Sequence, residues 1–563
     1  MSKRYYPLYE VTPVGSVKEI MEIAVREAGD KIAFRYRDGD GIKDVTYAEF
    51  DREVKCLGTA LSDMGLGNTH IAMLGENSYG WLVTYLTVLQ SEGVFVPLDK
   101  DMPDADKINV INDSDSTVLF YSAKYESMLM ENADKMPNIK YFIGIERDTD
   151  AGKFLSGKAL IEKGAALLDG GNDTYLSMKS DPRALKLLVY TSGTTGRSKG
   201  VMLCEENLVS IVYYGMQLTK LYDTCLSVLP YHHTYEAVAG ILVGLHNHTT
   251  ICINENLKTV LRNIQLYKPD YIYLVPAFAE KFYKKIWDTA RQKGITLKLK
   301  AGIKASNAMR KLGVDKRRSI FADIHETFGG NLKKIVCGGA PISAKIGKFF
   351  DSIGIELFNG YGITECSPLV SVNREELNNP ATVGTVLPCC EVKFEDISAE
   401  GNGEICVKGP TVMLGYYKQP EATAEVLDSE GWFKTGDYGR MNAKNQLIIT
   451  GRKKNIIVLD NGKNIYPEEL EDVIGSIPYV EEVVVFGIRA DGAERGLAAE
   501  VYLNEDKVKE MGITSPEEQI RRDTQRALFF LPAYKHVSRV YVRAFPFEKT
   551  TTNKIRRSSV IHK

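Results

Sequence analysis

Two hydrophobic rhythms alternate along this chain, and the alternation limits what it can fold into. Lys186–Tyr190, Tyr271–Val275 and Lys334–Cys337 are short apolar runs bounded by turn or loop residues, as strands buried on both faces are. Elsewhere the period lengthens. Phe278, Phe282, Ile286 and Ala290 recur at spacing four, which places them on one face of a helix over Ala277–Arg291. Repeated strand–helix units imply a largely parallel sheet covered by helices, an α/β fold. At 563 residues the chain is too long for a single core, and its last part has a different rhythm. Glu482–Ile488 and Leu497–Leu503 are strand candidates, and Ser515-Pro516-Glu517-Glu518 predicts a helix start, with Ser515 as N-cap and Glu518 closing a capping box. The expected architecture is a large N-terminal domain (1–453) of parallel or mixed sheets covered by helices, then a small α+β domain (454–563). The joint is expected at Gly451-Arg452-Lys453-Lys454-Asn455.

Charge and composition remove several function classes. A formal net charge of −2 offers no global attraction to a polyanion, so no nucleic-acid partner is expected. Nine cysteines with no CxxC pair and no metal-ligand spacing read as reduced thiols of a cytoplasmic protein. The adjacent Cys389 and Cys390 are poorly placed to bridge each other. No run approaches the ~18 apolar residues of a membrane-spanning helix, and the first residues lead into no apolar signal region. Between Arg291 and Arg318 lysines and arginines greatly outnumber acids. That stretch reads as a solvated helical surface or, alternatively, as a peripheral contact with anionic lipid.

The segment Tyr190-Thr191-Ser192-Gly193-Thr194-Thr195-Gly196-Arg197-Ser198-Lys199-Gly200 follows a predicted strand and has the parts needed to hold a polyphosphate. Glycines let backbone N–H groups approach an anion closely, hydroxyls donate hydrogen bonds, and Lys199 brings positive charge. GxxxxGK[ST] does not fit these spacings, so this is no Walker A loop.

The loop resembles the signature of the adenylate-forming enzymes, which include acyl-CoA synthetases, luciferases and peptide-synthetase adenylation domains. Arg197-Ser198 stands where that family commonly has a variable residue followed by proline. Other segments follow in family order. Gly338-Gly339-Ala340-Pro341 and Asn359-Gly360-Tyr361-Gly362-Ile363-Thr364-Glu365 resemble the adenine and magnesium segments. The chemistry suits those roles: glycines admit a flat purine, Tyr361 offers a stacking face, Thr364 donates to the α-phosphate, and Glu365 is a hard oxygen ligand for Mg²⁺. Asp437 and Arg452 resemble the ribose-binding pair; the plain alternative is a surface ion pair. Pro546-Phe547-Glu548-Lys549-Thr550-Thr551-Thr552-Asn553-Lys554 resembles the C-terminal motif, whose catalytic lysine aligns with Lys554, with Lys549 as the fallback. Asn553 replaces the glycine often found before that lysine.

The resemblance implies ATP, Mg²⁺ and CoA as cofactors and co-substrates, and a small-molecule carboxylic acid as substrate. Adenylation would join the acid to AMP, and a thiol would then take the acyl group. Between the half-reactions the mobile C-terminal domain swings about a hinge, here Lys454. Gly462-Lys463-Asn464 would face CoA, with Lys463 as its contact; a plain turn before a helix at Pro467 is the alternative. Leu229-Pro230-Tyr231-His232-His233-Thr234-Tyr235-Glu236 and Leu274–Lys281 resemble the acyl entrance of long-chain members. There His232 and His233 would meet the carboxylate or gate the tunnel, imidazole being able to switch charge near neutrality. A fatty acid is the expected substrate. An aryl or steroid acid, or an acyl carrier protein in place of CoA, are the alternatives.

Overall fold

The computed structural model describes residues 7–179, 181–191, 198–460, 463–490, 493–549 and 555–562. Packing divides the chain into two compact units, Met1–Glu391 with Val407–Phe433, and Val392–Cys406 with Lys434–Lys563.

In the first unit two mixed sheets carry the fold. The larger has nine strands among the described residues. Its centre is parallel and runs Glu356–Gly362, Lys334–Cys337, Tyr271–Leu274, Thr224–Ser227, Thr250–Ile253 and Ile32–Asp38. Antiparallel strands close both edges. The second sheet has eight strands, of which Leu185–Thr191 and Lys199–Cys204 form an antiparallel pair beside a parallel set. Mixed sheets with helical cover are the expected fold class. The predicted strands appear as Leu185–Thr191, Tyr271–Leu274 and Lys334–Cys337. Their residues are almost wholly buried because helices cover both faces.

The helix expected over 277–291 spans Pro276–Gln292, with Pro276 at its first turn, where a missing N–H costs nothing. Phe282 and Ala290 are buried, and Phe278 and Ile286 pack against the same core. The basic stretch forms the helix Thr296–Lys311 and a turn at Arg317–Ile320. All nine cysteines are free, and the Cys389 and Cys390 sulfurs stand 3.8 Å apart.

The second unit holds the antiparallel pair Phe433–Met441 and Leu447–Arg452 within a four-stranded sheet, and a three-stranded sheet of Val480–Ala490, Ala493–Leu503 and Arg539–Arg543. Leu470, Ile474, Val485, Val501 and Ile520 form its core. Both C-terminal strand expectations fall within these strands, and the joint expected at residues 451–455 lies inside this unit. The capping box at Ser515 does not form. Ser515 has φ −126° and ψ 76°, its side chain makes no cap hydrogen bond, and only its carbonyl accepts, from Gln519 N–H at 3.0 Å. At that ψ the hydroxyl is not turned back over the first helical turn.

Candidate active site

The phosphate-loop segment is closed at its base by the antiparallel ladder, in which Thr191 sits opposite Lys199. Ser192, Gly193, Thr194, Thr195 and Gly196 lie outside the described residues. Lys199 opens its strand half-buried, and its ammonium lies 4.6 Å from the centroid of the Tyr416 ring. Tyr416 in turn donates its hydroxyl to Glu365 Oε1 at 2.9 Å. The Tyr416 phenol is held strongly protonated by burial and by that carboxylate. One aromatic side chain therefore links the predicted phosphate lysine to the predicted metal ligand.

Local structure explains the placement. Gly415-Tyr416 forms a two-residue strand opposite Met202 and Val201, and Met413 N–H donates to the Glu365 carbonyl at 2.9 Å. Thr364 and Glu365 are half-buried in a single turn, Thr364–Cys366, directly after the strand Glu356–Gly362. Nothing in the sequence marked Tyr416. Its role comes from strand pairing with a segment some two hundred residues away, which periodicity cannot report.

The glycine-rich segments end neighbouring parallel strands. Gly338 is buried and donates its N–H to the Leu274 carbonyl at 3.2 Å, whereas Gly339, Ala340 and Pro341 are exposed. Gly339 has φ +82°, a backbone state that favours glycine. Asn359 is buried and its carbonyl accepts from Asn373 N–H at 2.9 Å. Gly360, Tyr361 and Gly362 line an apolar cavity of about 730 Å³, open mouth included, together with Gly338 and Gly339. The helix Glu205–Leu218, the wide π-type helix Tyr235–Leu242, Tyr273, Val336, Leu369 and Val372 contribute to its wall. Among the described residues no charged side chain lines it.

Neither His232 nor His233 is among the lining residues; Tyr235, three positions on, is. The two rings lie 4.2 Å apart, and His232 Nε2 stands 3.4 Å from Asp99 Oδ1. Burial, aided by Lys100, pushes the His232 pKa down to about 3. His232 is thus neutral near neutrality and supplies no charge switch there.

Asp437 and Arg452 face each other in one hairpin, register partners on adjacent strands. Asp437 is buried, its N–H donates to the Thr435 hydroxyl at 3.1 Å, and its Oδ1 lies 3.1 Å from Arg452 Nε. Lys454 is exposed in the turn Lys453–Asn455, where partial desolvation and the Arg452 guanidinium lower its pKa. Lys463 lies between the paired strands Ile457–Val458 and Asn464–Ile465 and holds its ammonium 4.9 Å from the Tyr534 ring centroid; the helix does begin at Pro467. Lys554 lies outside the described residues. Just before it, Lys549 pairs with Ile555 across a bridge, and its ammonium sits 2.5 Å from Glu482 Oε1.

As to Mg²⁺, Glu365 offers a half-buried carboxylate beside the Lys199 strand. Among the described residues no group of three or more His, Cys, Asp or Glu side chains gathers as an all-protein metal cage. One carboxylate suits an ion that reaches a protein largely through substrate phosphates and water.

The AMP-binding enzyme family matches residues 21–417, and the AMP-binding enzyme C-terminal domain matches 454–563. The chain belongs to the AMP-binding enzyme family and is an adenylate-forming protein like the acyl-CoA synthetases. It is 30% identical to the long-chain-fatty-acid–CoA ligase 5 of Rattus norvegicus over 513 residues, which is 85% of this chain and 74% of that protein. The long-chain-fatty-acid–CoA ligase FadD15 of Mycobacterium bovis is 29% identical over 80% of this chain and 76% of its own length. The anthranilate CoA ligase AuaEII, solved with anthranoyl-AMP, superposes with a TM-score of 0.76 at 18% identity, covering 99% of this chain and 98% of that one.

Proposed function

We propose that this protein activates a medium- to long-chain fatty acid with ATP to acyl-AMP, and then transfers the acyl group to CoA, releasing AMP. The apolar cavity bordered by Gly338, Gly360 and Tyr361 carries this reading, because it puts room for a hydrocarbon against the segments assigned to the nucleotide. Each methylene buried there is worth about 0.8 kcal/mol, so an uncharged wall selects acids by their apolar length. The names of the long-chain relatives support a fatty acid.

In the first step the substrate carboxylate oxygen bonds to the α-phosphorus, and the bond to the departing pyrophosphate breaks. The crowded negative charge asks for fixed positive groups rather than an acid–base pair. We assign Lys199 and the phosphate loop to the phosphates, Thr364 to the α-phosphate, Gly338–Pro341 and Asn359–Gly362 to adenine, Asp437 and Arg452 to ribose, and Lys554 to the transferring group. Glu365 would hold Mg²⁺, which supplies charge neutralisation to the phosphates when bound. In the second step the CoA sulfur bonds to the acyl carbon and AMP leaves. Lys463 is assigned to CoA and Lys454 to the hinge between the two steps. Lys549 is engaged by Glu482, which favours Lys554 as the reacting lysine.

AMP release measured with a panel of fatty and aryl acids, with and without CoA, tests the reading. Turnover that requires both a fatty acid and CoA is expected. Adenylate accumulating regardless of CoA would point to a carrier-protein acceptor, and activity with aryl acids alone would remove the fatty-acid assignment.

A second surface feature favours a peripheral lipid contact from the cytoplasm. Lys298, Lys300 and Lys304 are exposed on the helix Thr296–Lys311, flanked by Leu297 and Leu312 at 80% and 83% exposure. Cations beside projecting leucines match an anionic bilayer surface. No described helix is long and apolar enough to cross a membrane. Co-sedimentation with phosphatidylglycerol vesicles, but not phosphatidylcholine ones, is expected; equal sedimentation with neither would dismiss the contact.

A further inference from the structure

The helix Glu205–Leu218 turns Ile211, Gly215 and, at its C-cap, Thr219 toward the apolar cavity, one residue per turn on a single face. Glycine in the middle of a helix is destabilising, because its backbone loses more freedom on folding than alanine's. Close packing commonly accounts for such a residue, as it does at two other buried helical glycines of the same unit. A Cβ at Gly58 would come within 2.4 Å of the Tyr175 ring, and one at Gly164 within 1.8 Å of the Cys56 carbonyl oxygen. At Gly215 the nearest atom met is Leu369 Cδ2 at 3.8 Å, an ordinary van der Waals contact. The backbone there is regular helix, open to any L residue. Neither packing nor conformation asks for glycine, so what the residue contributes is empty space, and Leu369 itself lines the same cavity.

We propose that Gly215 is a specificity-determining residue, its missing side chain leaving volume that the apolar tail of the acyl substrate fills. The inference rests on reading the cavity as the acyl site. Protein interiors are close-packed, and unfilled apolar volume forfeits dispersion contacts along its lining. A ligand carbon at this point restores them. A side chain entering from residue 215 would occupy the same volume and displace about as many substrate carbons as it introduces.

The test compares the full-length wild type with Gly215→Ala and Gly215→Leu. Acid-dependent AMP release is measured over hexanoate, decanoate and palmitate with ATP and CoA, alongside thermal melting. Relative to the shortest acid accepted, kcat/KM for the longest is expected to fall about fourfold in Gly215→Ala, the equivalent of one methylene. In Gly215→Leu the fall is expected to reach at least ~10²-fold, with the preferred acid shortened by several carbons. Gly215→Ala should melt at or above the wild-type temperature, since alanine is the better helix former. If Gly215→Leu fails to fold, Gly215→Ala decides, because its Cβ has room. An unchanged chain-length profile, or a lowered melting temperature with uniform loss over all acids in Gly215→Ala, overturns the role of Gly215 alone. Wild-type protein that releases AMP with no acid of the panel overturns the acyl-site reading instead.

Discussion

The Lys199–Tyr416–Glu365 assembly and the Asp437–Arg452 pair manage charge in opposite ways. In the first, cation and anion do not touch: an aromatic ring lies under the ammonium and its hydroxyl serves the carboxylate. In the second, opposite charges meet directly across a hairpin at 3.1 Å. Charges kept apart by a neutral bridge stay available for phosphate and metal. Charges already paired must loosen before a sugar takes their hydrogen bonds. On the proposed assignments, the first arrangement is preorganised for charge that develops during reaction, and the second for recognition in the ground state.

Glu365→Gln breaks that contrast most severely. It keeps an acceptor for the Tyr416 hydroxyl and removes the negative charge. Adenylation, followed as pyrophosphate–ATP exchange, is expected to slow by about 10²–10³-fold, the loss seen when one preorganised electrostatic group is removed. A slowing below about tenfold would strip Glu365 of its assigned role. Asp437→Asn comes next. Hydrogen bonds to a charged group are worth about 1.5–3 kcal/mol, so KM for ATP should rise by about 10–100-fold while kcat at saturating ATP changes little. Equal losses in both constants would place Asp437 with the transition-state groups and erase the distinction between the two sites.

Tyr416→Phe is the finer probe. Its ring stays under Lys199 while the hydroxyl leaves Glu365, and one net hydrogen bond of about 1 kcal/mol predicts a slowing of about fivefold. Tyr416→Leu also removes the ring and should cost more. If Tyr416→Phe were as damaging as Glu365→Gln, the phenol would have to touch the reacting groups rather than position them.

The same contrast explains what was legible in the sequence. Asp437 and Arg452 meet because one hairpin puts them in register, and the sequence suggested their partnership through its resemblance to a family's ribose-binding pair. The strands Leu185–Thr191 and Lys334–Cys337 and the helix Pro276–Gln292 were legible for a similar reason: each advertises its burial through a local period. Tyr416 was not, since a two-residue strand has no period and acquires its neighbours by pairing with a distant one. Nor was the cavity, whose wall is gathered from helices and strands between Ile211 and Val372. Two side-chain states were not legible, the open cap at Ser515 and the burial of His232. A capping sequence does not fix ψ at its first residue, and an imidazole's charge depends on burial, which residue type does not reveal.

Glu236 extends the comparison to a carboxylate with no cation beside it, and its predicted effect is the smallest. It lies fully buried on the π-type helix whose Tyr235 and Ala239 line the cavity. The Ser227 hydroxyl donates to its Oε1 at 2.5 Å, and Tyr231, Tyr235, Tyr273 and Cys225 are titratable neighbours. Burial pushes its pKa up from 4.5 to about 8, with the Ser227 hydrogen bond opposing only in part. The folded protein thus holds the proton where the unfolded chain would release it. Stability from this group is complete below pH 4.5 and is lost as pH rises toward about 8. Glu236→Gln, neutral at every pH, should match wild type in acid and melt about 2 °C higher above that range, with a flatter pH profile between. An identical pH profile for the two proteins would mean that Glu236 finds a compensating partner when ionised, and the contrast between bridged, paired and solitary charge would no longer hold in this fold.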